Sequence, residues 1–147
     1  MTQTFQNILC PVDFDDNSMA GLEMACRVAA QNKASLHLMN VVAIPPQASE
    51  IPPEALKPYP VWERDAKLKL DRIASERIPG AIRSETLTRS GLPGREILMA
   101  AKELKIDLIV MATHGHSRSA FNRLLLGSIA ERVVRNSACP VLVVPPI

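Results

Sequence analysis

The stretch Ile106-Asp-Leu-Ile-Val-Met-Ala-Thr-His-Gly-His-Ser-Arg-Ser-Ala-Phe-Asn-Arg-Leu-Leu-Leu-Gly-Ser-Ile-Ala-Glu-Arg-Val-Val134 holds, in order, an apolar run, a polar glycine-containing loop and a segment of helical periodicity. Ile106–Ala112 reads as a buried strand. Ile129, Ala130, Val133 and Val134 recur at helical spacing, so a helix opens near Ser128 and closes near Asn136. A strand that runs through such a loop into a helix N-terminus is suited to holding an anion. The first-turn N–H groups have no intrahelical partner, and the helix dipole favours negative charge beside them.

Outward from this unit the same alternation repeats. Asn7–Val12 is a short apolar run and a buried strand; Asp13 follows it, and Asp15, Asp16, Asn17 and Ser18 all offer an N-cap to the next helix. Met19, Leu22, Cys26 and Ala29 form that helix's stripe, which ends near Asn32. Ala34–Val42 is apolar on both of its alternating faces, as a strand covered on both sides is. Residues 45–60 carry six of the twelve prolines and read as an extended connection, either a tolerated insertion or a flap or partner surface. Val61–Ile78 resumes helical spacing through Trp62, Ala66, Leu70, Ile73 and Ala74. Ile82–Arg89 is polar enough for a sheet edge. Pro93 is placed to open a helix with Ile97, Leu98, Ala101 and Leu104 inside, and Cys139–Val144 is a fifth strand.

Five strands alternating with single helices imply an α/β fold: an open parallel sheet with right-handed crossovers and helices on both faces. Ligands of such sheets bind beyond the carboxyl ends of the strands, where the strand order reverses. If the first and fourth strands are neighbours, Asp13 and the Thr113–Ser128 loop face one crevice.

Composition narrows the function. At 147 residues the chain is expected to be one domain over 1–147 with a core that needs no disulfide or metal. A formal charge of +2 with 3% aromatic residues gives no platform for nucleic acid. No apolar run is long enough to span a bilayer, the N-terminus lacks a signal-peptide layout, and Cys10, Cys26 and Cys139 show no metal spacing. No membrane insertion and a cytoplasmic location are expected.

Gly115 permits close backbone approach, Gly127 and Ser128 offer N–H groups and a hydroxyl, and Arg118 and Arg123 add charge. The plain alternative is a loop with Ser128 as helix cap. Asp13 suits ribose hydroxyls or a divalent cation, or else an early cap. His114 and His116 lack a third ligand nearby, and His37 reads as a packed histidine. No nucleophile stands beside an evident base, and Cys10 inside a strand is expected to be inert.

Over nearly its whole length the chain resembles the universal stress proteins of the UspA type. The resemblance is carried by Ile8–Asp13, Leu36–Val42, Asp107–Gly115, Leu124–Arg135 and Ala138–Val144. It implies the strand order 3-2-1-4-5 of an adenine nucleotide alpha hydrolase-like fold, and a homodimer paired through Pro140–Val144. One branch of the family binds ATP through Gly-x2-Gly-x9-Gly-Ser/Thr. Gly115 matches the second glycine and Gly127-Ser128 the end of the motif. Ala112 stands at the first glycine, and eleven residues, His116–Leu126, replace nine. The nucleotide site implied by the resemblance comprises Pro11, Val12, Asp13, Val41, Met111, Ala112, His114, Gly115, His116, Arg118, Gly127, Ser128 and Ile129. ATP, with or without Mg2+, is the implied ligand, and a stress-response regulatory protein, with a possible protein partner, the implied role. A dimeric signalling module without nucleotide and a very slow ATPase are the alternatives.

Overall fold

The computed structural model describes residues 4–44, 50, 52–56, 58–113 and 126–146. His114, Gly115, His116, Arg118 and Arg123 therefore lie outside the described residues. The elements are β1 (Asn7–Pro11), α1 (Asp16–Asn32), β2 (Ser35–Ala43), α2 (Pro53–Leu56), α3 (Pro58–Arg77), β3 (Ser84–Gly91), α4 (Pro93–Glu103), β4 (Leu108–Ala112), α5 (Ser128–Asn136) and β5 (Val141–Val144). The five strands form one parallel sheet in the order β3-β2-β1-β4-β5. Strand order reverses at β1, which pairs with β2 from Asn7↔Ser35 to Pro11↔Met39 and with β4 at Ile8↔Leu108 and Leu9↔Ile109.

Alternation along the strands divides the core in two. Ile8, Cys10, Leu36, Leu38, Leu108 and Val110 pack beneath α1 and α3 with Leu22, Ala29 and Leu70. Leu9, Met39, Ile109 and Met111 pack beneath α4 and α5 with Ile97, Ala100, Ala130 and Val133. Each fully buried large side chain here contributes roughly 1.5–3 kcal/mol, so the three central strands, apolar on both faces, carry most of the stability. Gly21 brings α1 down onto the end of β4: a Cβ there would lie 3.2 Å from the Ala112 amide nitrogen.

Several boundaries differ from the expectations. Residues 45–60 were expected to hold no element, yet α2 and the first turn of α3 fall there. Pro53, Pro58 and Pro60 sit in first turns, where the N–H that proline lacks would have no helical acceptor anyway. Trp62 is 48% exposed and does not join the buried stripe of Ala66 and Leu70. Glu63 already reaches Ser90, the penultimate residue of β3, with a hydrogen bond of 2.7 Å, so the turn before it stands at the rim of the sheet. Ile82 and Ile106 are buried but precede their strands, because their amides close turns onto the Pro79 and Ala101 carbonyls. The strand expected over Cys139–Val144 begins only at Val141.

Polar β3 lies at an edge, as its composition implies, and there Lys67, Asp71 and Thr86 hydrogen-bond together across α3 and β3. His37 is largely covered, with Nδ1 3.9 Å from the Glu85 carboxylate. Among the described residues no helix is long and apolar enough to cross a membrane.

Candidate functional site

At the carboxyl end of β1 the chain is pinned to β2 beyond the last ladder pair. Val12 donates its N–H to the Met39 carbonyl at 2.8 Å, and the buried Asn40 side chain donates Nδ2 to the Val12 carbonyl at 2.8 Å. With both backbone groups of Val12 held, Asp13 leaves the strand in a set direction. The following residue, Phe14, has φ +70, a conformation a bulky side chain rarely adopts. That turn delivers Asp15 to the N-cap of α1, where its carboxylate accepts from the Ser18 N–H at 2.8 Å. The competition among Asp15, Asp16, Asn17 and Ser18 is thus decided for Asp15.

Asp13 is not the cap. Its Oδ1 accepts from the Asp15 N–H at 3.3 Å and from the Ser18 hydroxyl, and its own N–H donates to Ser18 Oγ at 3.0 Å. Burial pushes the Asp13 carboxyl above the usual range, and contact with the Asp15 carboxyl adds to the shift. Cys10 is wholly buried, and its thiol is pushed far up, first by desolvation and then by Cys26, which leaves it inert as expected.

Across the strand-order reversal, β4 ends at Ala112. Thr113 then donates its N–H to the Val144 carbonyl at 3.0 Å and accepts the Gly127 N–H on its own carbonyl at 2.8 Å. The second bond closes the base of the 114–126 segment. It corrects two expectations. The Gly127 N–H is engaged and is not open to a ligand. Gly127, with φ −63 and ψ 156, is itself the N-cap of α5, and Ser128 is the first helical residue. Having no side chain, Gly127 leaves α5 without a side-chain cap, and the first helical bond returns from Glu131 to the Gly127 carbonyl at 2.9 Å. The N–H groups of Ser128, Ile129 and Ala130 have no partner among the described residues.

These two ends meet in one cavity of about 500 Å³. All nine described residues of the expected site line it: Pro11, Val12, Asp13, Val41, Met111, Ala112, Gly127, Ser128 and Ile129. Thr113, the first residue of the loop expected to face the crevice, lines it too; Phe14, Ser18, Asn40, Ala43, Pro93, Ile97 and Ala130 line it as well and were not foreseen. A polar residue inside a largely apolar strand was the available signal for Asn40. Thr113 was placed there only as the start of its loop; its side chain gave no signal, because a threonine after a strand is unremarkable.

The cleft has an acceptor wall at Asp13, an apolar wall from Val41, Ala43, Ile97 and Met111, and a donor wall at the α5 N-terminus. Its volume is typical of a small-molecule site. The donor set fits an anionic group, since three N–H groups without a partner among the described residues and a positive dipole end face one space. The Thr113 Oγ1, buried and without a hydrogen-bond partner among the described residues, is a further polar atom left unsatisfied there. Among the described residues no group of three or more His, Cys, Asp or Glu converges to hold a metal ion.

Residues 4–145 match the profile of the universal stress protein family. The chain is 33% identical to universal stress protein MJ0531 of Methanocaldococcus jannaschii over 150 residues, covering 95% of this chain and 82% of that protein. In structure it resembles the universal stress protein UspA from Lactobacillus plantarum, with a TM-score of 0.73 at 27% identity, covering 97% of this chain and 99% of that one. A universal stress protein solved in complex with cAMP shares the fold at a TM-score of 0.68 and 24% identity, with 97% and 98% of the two chains covered.

Proposed function

This chain belongs to the universal stress protein family, and we propose that it is a cytoplasmic stress-response regulator that binds an adenine nucleotide, ATP or AMP, at the carboxyl ends of β1 and β4. The observation that carries this reading is the pairing, in one cleft, of the Asp13 carboxylate with the α5 N-terminus that no side chain caps. A nucleotide has matching parts: ribose hydroxyls to donate to Asp13, a flat apolar base for the Val41–Met111 wall, and phosphates for the Ser128, Ile129 and Ala130 amides. The site includes Pro11, Val12, Ala112 and Gly127 as backbone walls, with His114, Gly115, His116 and Arg118 supplying the segment between Thr113 and Leu126. Mg2+ would be held chiefly through the phosphates, as that ion commonly is. The role is binding. Nucleotide occupancy shifts a surface that a partner reads, and ligand-free and bound states differ only as far as their affinities differ.

Calorimetric titration of the purified protein with ATP and AMP tests this, with mass spectrometry of any ligand released on denaturation. Binding is expected, and a Gly127→Val variant, which places a branched side chain at the buried N-cap against the phosphates, is expected to bind at least about 100-fold more weakly, a loss of roughly 3 kcal/mol. Equal affinity of a folded Gly127→Val protein would remove the phosphate end from this cleft. A homodimer through β5 is proposed beside the nucleotide site: among the described residues β5 pairs on one side only, and Leu142 is 37% exposed.

A further inference from the structure

Among the described residues of the cleft, Thr113 has both backbone groups engaged while its buried hydroxyl makes no hydrogen bond. Its N–H holds Val144 at 3.0 Å and its carbonyl holds Gly127 at 2.8 Å, which fixes the residue on both sides. Its hydroxyl is shut off from water and has no hydrogen-bond partner among the described residues. The other hydroxyls lining the cleft behave differently. Ser18 is spent on Asp13, and Ser128 is exposed, so its hydroxyl is not shut off from water. An unmade hydrogen bond on a buried hydroxyl destabilises a fold, whereas an isosteric apolar group at the same place does not. A threonine kept for packing alone would be better replaced by valine.

We infer that the Thr113 hydroxyl is a ligand contact, taking its partner from an anionic oxygen of the molecule bound in the cleft; the inference rests on the nucleotide reading above. Thr113 lines the same cavity as Ser128, Ile129 and Ala130, and its carbonyl is bonded to the residue that caps their helix. An oxygen gathered by those amides is therefore beside the Thr113 side chain. A change of χ1 rotamer moves the hydroxyl from its dry position to another staggered one, on the cleft side. In the ligand-free protein the hydroxyl is a liability, and on binding it becomes a fourth donor to the anion. Thr113 thus sets affinity for the phosphate end without any change in the backbone that holds it.

The experiment compares Thr113→Val, which keeps shape and loses the hydroxyl, with Thr113→Ser, which keeps the hydroxyl. Thermal midpoints of the full chain are read without ligand, and ATP affinity is read by calorimetry. Thr113→Val is expected to raise the ligand-free midpoint by roughly 2–4 °C and to weaken ATP binding roughly five- to twentyfold. Thr113→Ser is expected to bind within about threefold of the unsubstituted protein, since its hydroxyl remains a donor. The two effects of valine have opposite signs, which a purely structural threonine would not produce. Unchanged ATP affinity in Thr113→Val, or a ligand-free midpoint below that of the unsubstituted protein, overturns the inference; failure of Thr113→Val to fold counts as the second of these. If the unsubstituted protein itself binds no ATP or AMP, the nucleotide reading falls and this contact with it. Binding by the unsubstituted protein with equal binding by Thr113→Val removes the contact alone.

Discussion

The Asp13 carboxyl lies between the Ser18 hydroxyl, the Asp15 amide and the Asp15 carboxyl, half-buried at the mouth of the cleft. Burial and the second carboxyl both favour its protonated form in the folded protein, so the folded state holds its proton to higher pH than the unfolded chain does. Between the two pKa values the native state carries more protons, and stability falls as pH rises through that window. The penalty is fully present above the folded pKa and absent below the unfolded value of about 3.9. Asp13→Asn keeps an acceptor for Ser18 and Asp15 and gains a donor toward the Asp15 carboxylate. It is expected to be more stable than the parent at pH 7, with the advantage vanishing as pH approaches the unfolded pKa. Urea denaturation across pH 4–8 would read this; a variant less stable than the parent at pH 7 would show that the ionised carboxylate stabilises the fold. Asp13 was visible in the sequence as a carboxylate after an apolar run. Its pairing with Asp15 was not, because that depends on Phe14 turning the backbone through φ +70.

Three helices begin at the cleft, and their N-termini are finished differently: of the first turn of α4 only Pro93, which has no N–H to offer, lines it. The carboxylate of Asp15 neutralises the start of α1, while Gly127 leaves α5 open. Anion binding therefore belongs to α5, and it rests on backbone donors that side-chain substitutions do not normally remove. Proline is the exception. At the first helical position it is well tolerated, and the φ −63, ψ 156 of Gly127 is the conformation a residue before proline prefers. Ser128→Pro is thus expected to fold with a thermal midpoint within about 2 °C of the parent and to lose roughly five- to tenfold in ATP affinity with the missing N–H. Ser128→Ala, which loses only the hydroxyl, separates the two groups. Equal affinity of the proline variant would exclude the Ser128 amide from the site. Element positions were largely legible, since hydrophobic period and punctuation by Pro93, Gly91 and Asn32 are local signals. The proline-rich stretch misled, because proline reads as a breaker although it is admitted to a first turn.

For the molecule as a whole, the sheet has two edges of unlike character. β3 shows Lys67, Asp71 and Thr86 bonded over its outer strand, whereas β5 is four residues of valine and leucine with Leu142 and, on α5, Val134 exposed. A parallel-sheet protein with an apolar open edge is expected to cover it with a second copy. Light scattering behind size exclusion should find a dimer, and Leu142→Lys should weaken it roughly tenfold or more; a monomeric parent at micromolar concentration would refute the pairing. The sequence by itself determined the alternation of strands and helices, the double-faced core and the family, because each is written in the spacing of apolar residues or in short local motifs. It also marked nine residues that the fold brings to one cavity. The order β3-β2-β1-β4-β5 is the one the family resemblance implied; only the tertiary structure decided that the Gly127 amide is consumed by Thr113 while the next three have no partner among the described residues, and that the Thr113 hydroxyl is stranded in the wall. Those facts turn on which backbone groups find partners across the sheet, and hydrogen-bond satisfaction between residues distant in the chain leaves no period in the sequence to read.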